Sequence, residues 1–429
     1  MKFVSVNGRS APVDFETALF TGLADDGGLY APERVPPLSR PDAASGTLHD
    51  TGVEALSPFL EDLPAEVLRG VIETAWDFPL PLRTLDDDIH VLELFHGPTL
   101  AFKDVGARFM ARLMGHYLER AARRVTLVVA TSGDTGSAVA HGFHNVPGVD
   151  VFVLYPSGRV SPLQEQQMTT LGGNIHAIEV RGAFDDCQAM VKRALNDPEL
   201  TGLTTANSIN IGRLLPQVVF YVFGWREWRR LDGNPGGSPR FVVPSGNFGN
   251  LTAALYAQAM GVPMGRCVAA TNANDVFPEY LRSGAYHPRS SVRTLSTAMD
   301  VGAPSNLARI QALLGNDAAH IRERVEAVAV DDTATLTEIR QTHQRTGVVL
   351  DPHTAVGVAA ARRVRTAGET APLLVAATAH PGKFPEVVEQ ALGVAPPMPA
   401  ALREAMGRAK LSRVMDPDYA AWRRVLLGD

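Results

Sequence analysis

Short apolar runs rich in β-branched residues alternate with longer amphipathic stretches along most of this 429-residue chain. That alternation constrains its fold more than any other feature. Ile89–Leu94, Val125–Ala130, Val151–Tyr155, Ile175–Val180, Phe241–Val243, Cys267–Ala270 and Leu373–Ala377 read as buried strands. Val105–Leu118, Phe184–Leu195, Leu214–Trp228, Leu251–Met260 and Thr333–His343 carry helical spacing. Strands apolar on both faces and separated by helices predict an α/β fold, with parallel sheets covered by helices on both sides. The proline-rich opening, with a helical stretch near Ser57–Thr74, reads as a separate unit. A Gly/Pro-rich joint spans Asp232–Pro239, and beyond Pro396–Pro399 the tail turns helical and Arg-rich. The expected division is a smaller N-terminal domain at 1–82, open-sheet units at 83–239 and 240–392 that are free to interleave, and a tail at 393–429 packed outside.

Composition removes several function classes. The net charge is -6 with no basic tract, which argues against nucleic acid as a partner. No apolar run approaches the ~18 residues a membrane helix needs, and the start lacks an apolar leader core. The two cysteines, Cys187 and Cys267, lie far apart without metal-ligand neighbours, so a reduced, cytoplasmic protein is expected. No metal site is expected either, because His96, His353 and His380 lie in separate loops.

In open α/β sheets ligands gather beyond the carboxyl ends of the strands, and three such ends carry unusual chemistry. In FVVPSGNFGN (Phe241–Asn250), two glycines let backbone N–H groups converge at a helix start, an arrangement suited to a phosphate. A plain turn capped by Asn250 or Thr252 would read the same way. In VTLVVATSGDTG (Val125–Gly136), Ser132, Asp134 and Thr135 put hydroxyls and a carboxylate beside exposed amides. They suit a small anion or, alternatively, cap a helix from Ser137. Neither GxGxxG, nor GxxxxGK[ST], nor GxSxG occurs in the chain.

The third end is VLELFHGPTLAFKD (Val91–Asp104), in which Lys103 opens a helix behind Leu100-Ala101-Phe102. Desolvation and the positive helix end both disfavour its ammonium form, and a neutral amine is the species that attacks carbonyls. Most lysines at such positions simply extend to water. The chain has only four others. Lys2 and Lys410 lie near the ends, Lys192 is on an ordinary amphipathic helix, and Lys383 is in a loop after Ala379-His380-Pro381-Gly382. An amine suited to imine formation and a separate phosphate cradle together suggest pyridoxal 5′-phosphate.

The same segments resemble the threonine synthases, in the bacterial and fungal branch of the fold type II (tryptophan synthase β-like) pyridoxal-phosphate enzymes. The resemblance runs in order through GLADDGGLYAPE (Gly22–Glu33), HGPTLAFKD (His96–Asp104), ATSGDTG (Ala130–Gly136) and SPLQEQQMTTLGGN (Ser161–Asn174). It continues through ANSINIGR (Ala206–Arg213), VPSGNFGN (Val243–Asn250), ATNAND (Ala270–Asp275), LSTAMDV (Leu295–Val301) and TAHPGKF (Thr378–Phe384). It implies that Lys103 holds the cofactor as an imine, that Ser245, Gly246, Asn247, Phe248, Gly249 and Asn250 bind its phosphate, and that Thr378 meets the pyridine nitrogen. It also implies that Ser132, Asp134 and Thr135 receive the amino-acid end of the substrate. Asn207, Asn210 and Arg213 are the candidates for the substrate phosphate. Asp134 stands where the wider fold group carries Asn, which tells against the dehydratases and leaves open what meets the ring's 3-hydroxyl. Gly382 stands where the family often has Ala.

The implied activity is a carbon–oxygen lyase reaction on phosphate, converting O-phospho-L-homoserine and water to L-threonine and phosphate by a monomer or homodimer. A related lyase that stops at elimination and releases a 2-oxo acid and ammonia is the alternative. A non-catalytic phosphate-ligand binding protein is the third expectation.

Overall fold

The computed structural model describes residues 1–231 and 237–428, so most of the joint expected at Asp232–Pro239 lies outside the described residues. The strands in chain order are β1 (Phe3–Ser5), β2 (Tyr30–Pro32), β3 (Leu82–Thr84), β4 (Ile89–Glu93), β5 (Val125–Ala130), β6 (Val149–Pro156) and β7 (Ile175–Val180). They continue with β8 (Leu203–Thr204), β9 (Arg240–Pro244), β10 (Cys267–Thr271), β11 (Val325–Ala329), β12 (Leu373–Ala377) and β13 (Ser412–Met415). They form an antiparallel β1–β2 pair, a six-stranded sheet ordered β11-β10-β9-β12-β4-β3 and a five-stranded sheet ordered β13-β7-β6-β5-β8. The five-stranded sheet is parallel throughout. In the larger sheet only β3 runs antiparallel to its neighbour. All seven expected strands are present, and they are buried on both faces as their apolar runs require.

Three features add detail to the expected division, the first of them an interleaving of the two sheet units. β4 does not join the sheet of β5–β8; it pairs in parallel register with β12, Val91 opposite Val375, so β5–β8 of the five-stranded sheet are carried on an excursion between β4 and β9. Besides the helix Phe15–Thr21, the opening unit holds two helices, Leu48–Leu56 and Ala65–Ala75, the latter overlapping the stretch expected near Ser57–Thr74. Pro64 lacks the N–H that would continue a helix and instead stands at the N-cap of the second. The tail is not only helical. β13 adds an edge strand to β7, and Trp422 on the final helix is fully buried.

The opening unit also fixes the helix that begins at Lys103. Trp76 donates its indole N–H to the Val105 carbonyl at 3.0 Å and stacks on Phe109 with ring centroids 5.8 Å apart. On its other side, Arg226 of the helix Gln217–Arg229 reaches Glu54 at 2.8 Å and the Thr51 hydroxyl at 2.9 Å.

Candidate active site

The loops that follow β4, β5, β9 and β12 converge, as strand-end chemistry in an open sheet requires. Backbone bonds tie two of them directly. Phe102 donates to the Thr378 carbonyl at 2.9 Å and His380 to the Leu100 carbonyl at 3.0 Å, so the approach to Lys103 lies against the segment after β12. Leu100 takes a positive φ of 60° to turn the chain there. The helix then starts at Lys103 with no side-chain cap, as its sequence context predicts.

Lys103 is largely buried, with 17% of its side chain exposed. Burial lowers its pKa first of all; Asp134 opposes that shift, and Lys383 and Arg213 add to it. Its Nζ stands 3.9 Å from Asp134 Oδ2, outside hydrogen-bond range. The other carboxylate oxygen is already taken, by Lys383 Nζ at 2.7 Å and by Gln164 Nε2 at 2.9 Å. Burial would raise the Asp134 carboxyl, but Lys383, Lys103 and these hydrogen bonds hold it well below the usual carboxylate range. Asp134 is therefore an internal counter-ion and does not present a free carboxylate to a substrate.

The loop after β9 provides donors. Among the described residues, the backbone N–H groups of Gly246, Asn247, Phe248, Gly249 and Asn250 find no protein acceptor. The helix Gly249–Ala259 starts there without a side-chain cap. Its Asn250 is not the cap: its amide reaches back to the Pro244 carbonyl at 2.7 Å. Phe248 adopts a left-handed φ of 58°, held by a buried ring 4.6 Å from that of Phe277. Ser245 donates to Asn250 Oδ1 at 3.0 Å, and Asn247 bonds the Ser208 hydroxyl at 2.7 Å. A run of amides without acceptors at a helix start is an anion site, and its chemistry fits a phosphate monoester.

The loop after β5 is a second, smaller cradle. The helix begins at Asp134 rather than Ser137, and it is Thr131 that caps it, accepting from Gly133 and Gly136 at 2.9 and 2.8 Å. The N–H groups of Ser132, Asp134 and Thr135 have no protein acceptor among the described residues; Ser132 is exposed and Thr135 half-buried. Gly133 takes a φ of 143°, which only glycine adopts readily.

Thr378 is buried directly after β12, and its N–H donates to the Thr354 hydroxyl at 3.2 Å. Thr354 in turn bonds Asp351, the N-cap of the helix Pro352–Thr366. Asp351 also accepts from His353 Nδ1 at 2.8 Å, and His353 Nε2 accepts the Ala298 N–H at 3.1 Å. One carboxylate thus braces Thr378 and the segment that packs on Gly246.

The candidates for a substrate phosphate divide. Asn210 is fully buried and fully used: its amide donates to Leu19 and Thr205 carbonyls, both at 2.9 Å, and its oxygen caps Gly212 at 2.8 Å. Asn207 donates to the Ala130 carbonyl at 3.1 Å and accepts from Thr205 at 3.1 Å. Asn210 serves backbone groups with every polar atom it has, whereas Asn207 is half-buried and keeps a second amide N–H beyond its bond to Ala130. Arg213 keeps an unpartnered Nε in a nearly closed setting, with 3% of the residue exposed.

Lys383 and Gln164 are the residues that sequence reasoning passed over. Lys383 lies in a short turn after a strand end, the position that singled out the other three loops; its loop setting concealed that its side chain is fully buried.

Comparison with known proteins agrees with this geometry. Residues 77–382 match the family model described as pyridoxal-phosphate dependent enzyme. The two mainly parallel sheets are therefore those of a fold type II pyridoxal-phosphate enzyme. Residues 2–76 match the threonine synthase N terminus and residues 354–426 the threonine synthase C-terminal model. Threonine synthase of Escherichia coli (strain K12) is 41% identical over 434 residues, spanning 100% of this chain and 99% of that protein. The crystal structure of an Escherichia coli threonine synthase superposes with a TM-score of 0.91 at 39% identity, covering 100% of both chains. A PLP-bound threonine synthase from Brucella melitensis superposes at 0.90 with 38% identity, covering 99% of this chain and 98% of that one. The chain belongs to the threonine synthase family.

The cradle is sterically committed. A Cβ on Gly246 would lie 2.8 Å from the Met299 Cα and 3.1 Å from the Ala298 carbonyl oxygen, and backbone cannot rotate away. Gly246→Ala is expected to weaken cofactor binding by about 10–100-fold, the equivalent of the ~1–3 kcal/mol that overpacking costs. Fluorescence titration of cofactor-stripped protein checks this, and an unchanged affinity would place the phosphate elsewhere.

Proposed function

We propose that this chain converts O-phospho-L-homoserine and water to L-threonine and phosphate, with Lys103 as the proton-transferring group. The observation that carries this reading is the placement of a buried, uncapped amine among a five-amide phosphate cradle, a second amide cradle and an underused buried guanidinium. Lys103, the 245–250 loop and Thr378 would hold pyridoxal 5′-phosphate. When bound, that group supplies an aldehyde and an electron-withdrawing ring that acidify the substrate's carbon–hydrogen bonds. The amides of Ser132, Asp134 and Thr135 would hold the substrate carboxylate. Lys103, kept largely out of water, takes and returns protons at successive substrate carbons, a role that needs the lowered pKa its burial produces. Thr378 would offer the ring nitrogen a neutral hydroxyl rather than a carboxylate. Arg213 would stabilise charge on the departing phosphate. Asn207 and Asn210 support this region by holding its backbone.

The reading extends to a cytoplasmic protein acting as a monomer or homodimer. It is supported by two buried, unpaired cysteines and by the lack, among the described residues, of any helix long and apolar enough to cross a membrane.

Incubation with O-phospho-L-homoserine is expected to release threonine and phosphate in equal amounts. A 2-oxo acid and ammonia without threonine would sink the proposal and favour simple elimination. Arg213→Lys, which keeps the charge and loses the fork, is expected to lower kcat/KM by about 10²-fold with little change in cofactor affinity. An effect on cofactor affinity alone would assign Arg213 to the cofactor side.

A further inference from the structure

Five lysines serve the whole chain, and the most enclosed of them is Lys383 rather than Lys103. Its side chain is fully buried although it ends a short turn, Pro381–Lys383. A buried ammonium persists only with partners that replace water. Lys383 has two, Asp134 Oδ1 at 2.7 Å and the Thr99 carbonyl oxygen at 2.7 Å. Asp134 therefore faces two lysines, one in contact and one at 3.9 Å. Gln164 adds an amide N–H to the oxygen that Lys383 holds, at 2.9 Å. The carboxylate's charge is spent on that side.

The remaining groups around the pair point the same way. Arg213, from the helix Ile211–Leu214, is a further cation acting on Lys103. Asp104, on the Lys103 helix itself, is committed to the N–H and hydroxyl of Thr99 at 2.8 and 2.7 Å, and burial pushes its carboxyl up to about 6. His141, from the helix Asp134–Phe143, is held down to about 4 chiefly by burial. His380 lies on the Lys383 side and is also lowered by burial. Asp134 is thus the anion that decides between the two amines.

We propose that Lys383 is a positioning residue for the reaction: by neutralising Asp134 at 2.7 Å it leaves Lys103, 3.9 Å away, as the uncharged amine that can attack an aldehyde and accept a proton. The inference rests on the reading of Lys103 as the cofactor lysine. It also explains why a carboxylate can stand so close to that lysine without trapping it as an ion pair. Lys383→Met removes the competing cation, and Asp134 then acts on Lys103 alone.

The test is the pH titration of the cofactor–lysine imine absorbance in the holoenzyme, in wild type, Lys383→Met, Asp134→Asn and the double variant. An unneutralised carboxylate at about 4–6 Å raises a cation's midpoint by about 1–3 units, so Lys383→Met is expected to titrate that much higher than wild type. The double variant is expected to return toward wild type, and Asp134→Asn to stay at or below it. An unmoved midpoint in Lys383→Met would overturn the proposal. If that variant does not fold, Lys383→Gln replaces it, with the same upward shift expected while Asp134 is kept. An unmoved midpoint in a folded Lys383→Gln would equally overturn the idea. Borohydride reduction and peptide mapping of the wild type separate the two layers of argument. A label away from Lys103 removes the underlying reading, whereas a label on Lys103 with an unmoved midpoint removes only the role of Lys383.

Discussion

Lys103→Ala is expected to fold normally and to lose turnover by about 10³-fold or more, the combined contribution of a positioned proton-transfer group and a covalent anchor. The normal fold follows from the arrangement around it. Lys103 is the first residue of its helix, Ala is a good helix former, and Asp134 keeps Lys383 at 2.7 Å, so no buried charge is stranded. The imine absorbance band should vanish while the melting temperature stays within a few degrees of wild type. A variant that keeps the band, or turns over within tenfold of wild type, would show that another amine carries the chemistry. The same pair of readouts excludes a merely structural role, because a structural lysine would move the melting temperature and not the spectrum alone.

Arg226→Met is expected to cost about 1–3 kcal/mol of stability, because it removes the buried partner of a carboxylate that then keeps only Ser39, the Arg40 N–H and the exposed Arg40 guanidinium. The Arg226 side chain is 1% exposed and that of Glu54 9%. Their contact, with the added bonds to Thr51 and to the Arg40 carbonyl, joins the opening unit to the helix Gln217–Arg229. Burial alone would raise the Glu54 carboxyl; Arg226, Ser39 and the Arg40 N–H outweigh it and place the pKa below its usual 4.5. A folded-state pKa below the unfolded one means the pairing contributes fully above about pH 4.5 and is lost as the pH falls through the lowered value. Wild type should therefore lose stability on acidification below that point, and Arg226→Met should start lower and respond less. Denaturant melts at neutral and acid pH measure both effects. Equal midpoints for the two proteins at neutral pH would mean that the contact contributes nothing to the docking of the opening unit.

Much of this arrangement was legible before any coordinates. The seven expected strands were visible because a strand buried on both faces must be apolar throughout, and glycine turns after β5 and β9 mark where backbone amides can converge. Lys103 was identifiable because its local surroundings, three apolar neighbours and a helix start, already bias its protonation. What was hidden depends on partners distant in sequence. Nothing in Ile89–Glu93 says that it pairs with Leu373–Ala377 rather than with β5. Ser412–Met415 is a strand only because the edge of β7 accepts it. Asn210 looked available to a ligand, yet its amide answers a carbonyl on Leu19, far away in the chain. Lys383 is the sharpest case. A loop lysine is ordinarily solvated, and only the approach of Asp134 and Thr99 from other segments makes this one a buried charge.

The pairing of β4 with β12 also bears on how the protein is born. The strand that delivers Lys103 is made early and can pair with β3, but its parallel neighbour β12 leaves the ribosome roughly 280 residues later, on the order of tens of seconds at about 5–20 residues per second. During that interval β5–β8 can assemble with one another, while β4 exposes an apolar edge with nothing to pair against. Thr378 and Lys383 come later still, directly behind β12. A nascent or prematurely ended chain therefore has its reactive amine without the surroundings that tame it. Under the roles proposed for Lys103 and Thr378, the site is complete only once β12 and the turn behind it have been made.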